Sequence, residues 1–206
     1  VTAATNVLTN GSFETGNNPP TGWTVGGAGI DVVSSSGWSP SQGSYSIDLN
    51  AFDPGTISQT FATYSGGSYT VMFDLAGNPG QGGVVTLQVS AAAQTATHTF
   101  NTAGHTTTSM GWTPKTFNFT ANSTSTTLTF TSLTSGASSC PIANACGPAL
   151  DNIAVWYTNQ APVLTVVGTA TYTEDAPPVV VAPGLTLTDA ENDNIDSAKA
   201  SIGGKL

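Results

Sequence analysis

Short runs in which apolar and polar residues alternate dominate this chain. Residues 69–75 carry apolar side chains at the odd positions and mostly polar ones at the even positions, and residues 85–89, 127–130 and 151–155 follow the same rule. A period of two is typical of a β-strand with one buried face. No stretch has a convincing helical period. Many short strands separated by Gly- and Pro-rich turns predict an all-β fold, a two-sheet antiparallel sandwich.

The composition changes at the string Asn159-Gln160-Ala161-Pro162. Proline removes a backbone donor and holds the chain extended, as in a linker that leads into a new strand. Half of the twelve acidic residues follow this point. We therefore expect two domains, residues 1–158 and 159–206. The second segment is short for a sandwich repeat and has no closing strand, so we expect a truncated β-sandwich-like piece.

The balance of charge excludes several classes of partner. The chain has three lysines, no arginine and twelve acidic residues, for a net charge of −9. Nucleic acids and anionic membranes are recognised through Arg and Lys, so we expect neither as a partner. Many Asp and Asn residues with few cations suit a hard cation such as calcium.

Cysteine usage and hydropathy point to an extracellular, secreted protein. Cys140 and Cys146 close a short loop, and no further zinc ligands lie near them in the sequence. We expect a local disulfide, which requires an oxidising compartment. No apolar run approaches the ~20 residues of a membrane span, so membrane insertion is not expected.

Two carboxylates far apart in the sequence are the first candidates for a metal site. Glu14 follows the string Asn10-Gly11-Ser12-Phe13, and Asp151 belongs to a predicted strand near residue 150. Antiparallel sandwiches often bring early and late strands together, and calcium takes six to eight oxygen ligands that include backbone carbonyls. We expect the two carboxylates to share a structural calcium ion, with strand-end carbonyls such as those of Ser12 or Gly11 completing its shell. The alternative is a turn-capping role for Glu14 and an ion pair with Lys115, or solvent exposure, for Asp151.

Further acidic residues extend this prediction. Asp31 and Asp48 are additional candidate ligands in the first domain. In the second segment, clustered carboxylates repel one another unless a cation or solvent screens them. Glu174 and Asp189 are the candidates for a second calcium position there. A solvated acidic loop is the alternative.

Aromatic side chains beside glycine and proline suggest a carbohydrate surface, because pyranose faces pack on exposed rings. Trp38 and Trp112 lie in such loop contexts, whereas Trp23 is expected in the core. Tyr64, Asn78 and Gln81 complete the predicted sugar-contacting set. Ordinary packing is the alternative for each of them.

Catalysis finds little support in the sequence. His98 and His105 are the only imidazoles, and no Gly-x-Ser-x-Gly or His-Glu-x-x-His string occurs. A glycosidase requires two opposed carboxyl groups, and Glu14 is the only glutamate before residue 159. We therefore expect a protein that is not an enzyme.

Seven strings within residues 6–157 resemble the DUF642 / choice-of-anchor C group of secreted proteins. They are Asn10-Gly-Ser-Phe-Glu14, Gly22-Trp23, Gly29-Ile-Asp31, Ser46-Ile-Asp-Leu-Asn50, Gly55-Thr-Ile-Ser-Gln-Thr-Phe61, Phe73-Asp-Leu-Ala-Gly-Asn-Pro79 and Gly147-Pro-Ala-Leu-Asp-Asn-Ile153. That group is similar to galactose-binding-like jelly rolls, which include several families of carbohydrate-binding modules. The resemblance implies a jelly-roll sandwich and a structural calcium site at Glu14 and Asp151.

Residues 159–193 resemble the start of a bacterial cadherin-like repeat, of the kind that occurs in tandem in large surface adhesins. Two hypotheses follow for the whole chain. The first is a glycan-binding module of an extracellular adhesin, with a polysaccharide or glycan as the partner. The second is a structural segment stiffened by calcium, with neighbouring repeats of a larger protein as its partners. An enzyme is a third class, which would require turnover of a polysaccharide.

Overall fold

The computed structural model describes residues 6–135 and 145–158 and, beyond them, residues 162–168, 171, 173, 175, 177 and 184–189. The chain divides into two units, Val1–Asn159 and Gln160–Leu206.

The described part of the first unit contains ten strands. They are β1 (Thr24–Gly27), β2 (Asp31–Ser34), β3 (Tyr45–Asp48), β4 (Gly55–Ala62), β5 (Ser68–Gly77), β6 (Val84–Ala91), β7 (Gln94–Asn101), β8 (Thr113–Thr120), β9 (Ser125–Ser132) and β10 (Pro148–Thr158). A short 3-10 helix, Pro79–Gln81, follows β5.

The ten strands form two five-stranded antiparallel sheets. The first sheet has the order β1-β4-β9-β6-β7, and the second has the order β2-β3-β10-β5-β8. Because six of the eight neighbouring pairs join strands that are not consecutive in the chain, the sheets form a jelly-roll sandwich. The predicted all-β sandwich fold is therefore confirmed.

The core lies between the two sheets and follows the alternation of the sequence. Tyr69, Val71, Phe73 and Leu75 point inward from β5 and are at most 2% exposed, while the residues between them point outward. Burial of side chains of this size stabilises the fold by about 1.5–3 kcal/mol each. Trp23 also lies in the core, at 4% exposed, as predicted.

The start of the first unit packs against its last strand. Ile153 N–H in β10 donates a hydrogen bond to Gly11 C=O at 2.9 Å. A Cβ atom on Gly11 would lie 1.8 Å from the Ile153 carbonyl oxygen, so the contact requires glycine. The register of β10 shifts between residues 151 and 154, and Asn152 adopts a φ of +52° at this bulge. The glycine of the first motif therefore fits the bulge of the last strand.

In the second unit, the described residues include β11 (Val163–Thr165) and β12 (Thr186–Thr188), which pair antiparallel. The side chains of both strands are exposed.

Candidate functional site

Two carboxylates hold one short loop segment, residues 41–45, which leads into β3. Glu14 Oε1 accepts hydrogen bonds from the backbone N–H of Ser44, at 2.8 Å, and from that of the next residue, at 3.0 Å. Asp151 Oδ2 accepts one from the backbone N–H of Gln42 at 2.8 Å. The Cα atoms of Gln42 and Ser44 are at most ~7.6 Å apart, because two peptide units separate them. The beginning and the end of the first unit therefore meet at the 41–45 segment.

Asp151 is a buried carboxylate without a cationic partner among the described residues. Its side chain is 0% exposed, and Oδ1 accepts a hydrogen bond from the backbone N–H of Asn152 at 2.7 Å. Burial raises the pKa of Asp151 to about 7, although the backbone hydrogen bonds act in the opposite direction. Asp74 lies directly opposite on β5 and raises this pKa further. The region is therefore rich in oxygen atoms and short of positive charge.

Asp74 belongs to the same acidic region, the outer face of the second sheet. Its Oδ2 accepts hydrogen bonds from the Ser41 hydroxyl and, at 3.1 Å, from Asn152 Nδ2. Asp74 was not among the predicted metal ligands, because its role depends on the pairing of β5 with β10. No spacing in the sequence gives that register.

Asp48 forms a second buried centre on the outer face of the second sheet. Its side chain is 2% exposed. Oδ1 accepts hydrogen bonds at 3.0 Å from the backbone N–H groups of Asn50 and Gly147, and Oδ2 accepts one from Asn78 Nδ2 at 2.8 Å. Burial raises the pKa of Asp48 to about 7, against the effect of these three donors. Asp48 thereby joins the ends of three strands and does not present an open carboxylate.

The structure separates the predicted metal ligands into groups. Glu14 and Asp151 bind the 41–45 segment, and Ser12 lies half-buried beside Gly11. Asp31 is exposed and faces Asp48 across β2 and β3. Within the described ranges, no three His, Cys, Asp or Glu side chains lie close enough together to hold a metal ion. Asp189 lies in the second unit, and Glu174 lies outside the described residues.

The alternative ion pair between Asp151 and Lys115 is not formed. The hydrogen bonds that Asp151 accepts from described residues come from backbone N–H groups. The turn-capping role of Glu14 is present, because its carboxylate binds two successive N–H groups.

Trp38 does not offer the sugar-stacking face that the sequence suggests. Its side chain is 5% exposed, and its indole N–H donates a hydrogen bond to Ser46 Oγ at 2.6 Å. The flanking Gly and Pro do place it in a loop, but the loop folds back over the second sheet. Trp112 is half-buried and donates its indole N–H to the Ser39 carbonyl at 2.9 Å. The hydrogen bonds from both indole N–H groups therefore hold in place the loop that carries the 41–45 segment.

The other predicted sugar contacts do not converge on one surface. Tyr64 is 45% exposed and precedes the start of β5, whereas Asn78 and Gln81 follow its end. A ten-residue strand separates these ends by ~30 Å. The Asn78 side chain is also engaged, since it donates to Asp48 and accepts from the Gly80 N–H. These residues cannot all contact one short oligosaccharide.

A cleft of about 360 Å³ opens at the end of the second sheet where β5 begins. It is lined by Ser68, Tyr69, Thr70, Gln94, Asn118, Phe119 and Thr120. Tyr69 and Phe119 lie beneath it, but their rings, stacked at 5.1 Å and 10°, face the core and are at most 3% exposed. The remaining lining groups are hydroxyls and carboxamides. The open face of the cleft therefore offers neutral hydrogen-bonding groups.

Cross-strand pairing assembles the polar wall of this cleft. Thr70 on β5 and Asn118 on β8 are register partners, and Thr70 Oγ1 donates to Asn118 Oδ1 at 2.9 Å. Trp156 on β10 is the register partner of Thr70 on its other side and is half-buried. Neighbouring strands lie ~4.8 Å apart, so one row of indole, hydroxyl and carboxamide spans ~10 Å.

Gln94 closes the cleft from the first sheet. Its Nε2 donates to the Thr120 carbonyl at 2.8 Å, and its Oε1 accepts from the Thr120 N–H at 3.2 Å. Sequence reasoning missed this cleft. The only signal was the polar alternate positions of β5 and β8, which resemble those of any solvated strand face.

Two further predictions concern the chain as a whole. Cys146 is buried at 2% exposed, and Cys140 lies outside the described residues, so the disulfide between them stays a prediction. None of the described residues belongs to a helix that is both long and apolar enough to span a bilayer.

Comparison with known proteins gives one family and several structures of similar fold. The profile of the family described as "Protein of unknown function (DUF642)" matches residues 4–156. Halomucin of Haloquadratum walsbyi is 32% identical over 125 residues, a match that covers 46% of this chain and 1% of that protein. The chain thus spans only a very small part of its curated relative.

Two solved structures share the fold of the first unit. TmCBM61 in complex with beta-1,4-galactotriose has a TM-score of 0.52 and 22% identity, over 75% of this chain and 99% of that one. The arabinose-bound α-L-arabinofuranosidase MgGH51 has a TM-score of 0.51 and 11% identity, over 75% of this chain and 27% of that one. At these identities the likeness concerns the fold.

Proposed function

The chain belongs to the DUF642 family, and we propose that its first unit is a non-catalytic, glycan-binding module of an extracellular protein. The observation that carries this proposal is the cleft between β5, β8 and β7. Its neutral hydroxyls and carboxamides, next to the half-buried indole of Trp156, suit sugar recognition, since ligand sites pair apolar walls with a few placed polar groups.

The hydrogen-bonding groups of the cleft suit sugar hydroxyls. A carboxamide offers two donors and one acceptor oxygen, and a hydroxyl can donate and accept. Asn118 uses Oδ1 to accept from Thr70, so the described hydrogen bonds leave its Nδ2 to donate to a ligand. The half-buried indole of Trp156, in register with Thr70, supplies an aromatic surface in place of Trp38.

The fold comparisons support the same class of ligand. TmCBM61, which shares the fold, was solved with beta-1,4-galactotriose bound. We therefore choose this trisaccharide as the first probe. Isothermal titration of the full chain with beta-1,4-galactotriose and with a panel of neutral plant and bacterial oligosaccharides tests the proposal. Saturable heat that is lost in an Asn118→Ala variant supports it, and a blank panel contradicts it.

We also propose a structural calcium ion at the 41–45 segment. Glu14 and Asp151 would hold it, and their donor atoms suit calcium because both are hard carboxylate oxygens. Among the described residues, Glu14 accepts hydrogen bonds through Oε1, which leaves Oε2 for a cation. The close fit of Gly43 against the Glu14 carboxylate gives this region the shape of a cradle. A bound cation would supply the positive charge that buried Asp151 lacks.

A structural role in a large surface protein is the second candidate function. The match to halomucin, of which this chain covers 1%, favours it, because it relates the chain to a small piece of a very long protein. Under this second candidate function, residues 159–206 are the start of a cadherin-like repeat, and neighbouring repeats of the larger protein are the partners. A blank glycan panel together with calcium-dependent stiffening of a longer chain would favour this function over glycan binding.

A further inference from the structure

Met72 is a large apolar side chain on the outer face of the second sheet. It lies in the middle of β5, points outward between the inward-facing Val71 and Phe73, and is 44% exposed. An antiparallel sheet with one solvated face usually carries polar side chains on that face. Strand β5 lies between β10 and β8, so Met72 occupies the interior of the sheet face and not its rim. Its exposure there calls for an explanation.

Two outward side chains of β10 enlarge the apolar surface around Met72. Ala154 is the register partner of Met72, and Trp156 is the register partner of Thr70, the previous outward residue of β5. Trp156 and Met72 are thus diagonal neighbours on one face, ~7–8 Å apart, which is within reach of long and aromatic side chains. All three apolar side chains keep part of their surface accessible. We call Met72, Ala154 and Trp156 the apolar platform.

The apolar platform is continuous with the polar groups of the cleft. Thr70 and Asn118, whose side chains are hydrogen-bonded to each other, lie in the same cross-strand row as Trp156. Successive outward residues of a strand are ~6.8 Å apart, so Met72 lies one such step from this row. Both sets of side chains point outward from the same sheet. A ligand that forms a hydrogen bond with Asn118 can therefore also contact Met72.

The loop between β2 and β3, residues 35–44, closes the open face on one side. It donates hydrogen bonds to Asp74 on β5 and to Asp151 on β10, and its backbone accepts one from the indole of Trp112, which precedes β8. The loop therefore crosses the outer face of the sheet. Asp74 is the next outward residue of β5 after Met72, so the apolar platform lies directly beside this loop.

The size and charge of the open face favour a small, neutral ligand. From β10 to β8 it measures ~10 Å, and from Ser68 to Asp74 ~20 Å, so its area is about 200 Å². A stable protein–protein interface takes about 800 Å² from each partner, which exceeds this area. The outward positions of β5, β8 and β10 between the Ser68 and Met72 rows carry no charged side chain. The face therefore pairs apolar surface with neutral hydrogen-bonding groups.

We propose that Met72 and Trp156 form a second sugar subsite, on which the C–H face of one pyranose packs while the neighbouring sugar residue is hydrogen-bonded in the cleft. This inference rests on the proposed glycan-binding function and defines its ligand as a neutral glycan segment of at least two sugar residues. A pyranose presents ring C–H groups on a face and hydroxyls around its rim, which matches the platform and the adjoining polar row. The thioether of Met72 suits such a contact, because it is polarisable and fits irregular surfaces.

The first test compares D-galactose with beta-1,4-galactotriose on the full chain, in titrations followed by NMR. We expect galactotriose to bind at least fivefold more tightly, as partial burial of a Met side chain allows. Met72→Gln keeps the length of the side chain and removes its apolar end. It should weaken galactotriose binding about fivefold and leave galactose binding unchanged. Val84→Thr, which makes another exposed apolar side chain polar, on the first sheet, is the matched control and should change neither affinity.

The two methionines of the chain give a direct view of the contact. With ¹³C-labelled methionine methyl groups, galactotriose should shift the Met72 signal and shield it from a soluble paramagnetic agent. Met110 is 1% exposed and serves as the internal reference, whose signal should stay unchanged. A variant that had merely lost stability would not reproduce this selective shift in the wild-type chain.

The possible failures can be distinguished. Galactotriose binding that Met72→Gln does not weaken, or that leaves the Met72 signal in place, overturns the second subsite and leaves glycan binding in the cleft intact. A Met72 signal that moves with protein concentration and not with sugar identifies a second copy of the chain as the occupant, which also overturns it. If neither galactotriose nor any other glycan binds, the proposed function itself fails, and the second subsite fails with it.

Discussion

Asp31 and Asp48 face each other across β2 and β3, yet one is exposed and the other is 2% exposed. The same strand pairing therefore buries one carboxylate and leaves the other in solvent. Burial raises the pKa of Asp31 somewhat and that of Asp48 from 3.8 to about 7, and the charge of Asp31 adds to the effect on Asp48. The buried member of the pair couples folding to pH.

Asp48 makes the first unit more stable in mild acid. A raised pKa means that the folded state binds the proton more tightly than the unfolded state does. The contribution is fully present below pH 3.8 and is lost as the pH rises through about 7. It amounts to about 4 kcal/mol over this window. We expect denaturant unfolding curves to show stability falling from pH 4 to pH 8.

An Asp48→Asn variant separates this effect from other titrations. It should make the fall between pH 4 and pH 8 shallower, and the fall that remains is due to Asp151, whose pKa is also raised to about 7. It should also lower stability at pH 5 by about 1–3 kcal/mol, because the three donors lose a full acceptor set. Asp53→Asn, at an exposed carboxylate, should leave the profile as it is. Parallel wild-type and Asp48→Asn profiles would show that Asp48 does not titrate in this range.

Removal of calcium should lower the melting temperature of the protein. A site filled at 100 times its dissociation constant adds about 2.7 kcal/mol of stability. We expect a chelator to remove this amount from the wild type and much less from Asp151→Asn or Glu14→Gln. Magnesium should restore little of it, since magnesium requires a tighter, octahedral shell. Identical melting curves with and without chelator, measured by calorimetry, would contradict the proposed calcium site.

Gly11→Ala should destabilise the first unit severely. The new Cβ would lie 1.8 Å from the Ile153 carbonyl oxygen, a backbone atom of the last strand that cannot rotate away. We expect a loss of about 3 kcal/mol or more in urea unfolding. Gly83→Ala is the matched control, because its Cβ would meet no atom within 4 Å. Equal stability of the two variants would mean that Gly11 does not pack on β10.

Substitution in the cleft should weaken glycan binding without loss of stability. Asn118→Ala and Thr70→Val each remove one hydrogen-bonding group, and we expect a loss of about 1 kcal/mol of binding free energy, roughly fivefold in Kd, for each. Thr60→Val is the control, since Thr60 and Thr127 form an equivalent hydroxyl pair at 2.7 Å on the first sheet. Titration calorimetry measures all three, and an effect of Thr60→Val equal to the others would place binding elsewhere.

The sequence predicts the fold well and the sites only in part. Alternation along residues 69–75 correctly gives the inward face of β5, because a strand side chain has only two directions to take. The burial of Trp38 is not predictable in the same way, since it depends on a loop that returns to Ser46. The pairing of Thr70 with Asn118 joins positions 48 apart, and no local pattern contains that register.

The side chain of Gln94 has a consequence for how this protein behaves among its own copies. Strand β8 is the last strand of its sheet, and such a strand is a template for cross-β association. At Thr120 the Gln94 carboxamide already occupies both backbone groups, as a neighbouring strand would. The Gln94 carboxamide therefore protects this end of β8 from pairing with another copy of the chain. Loss of this side chain would increase aggregation first at high protein concentration.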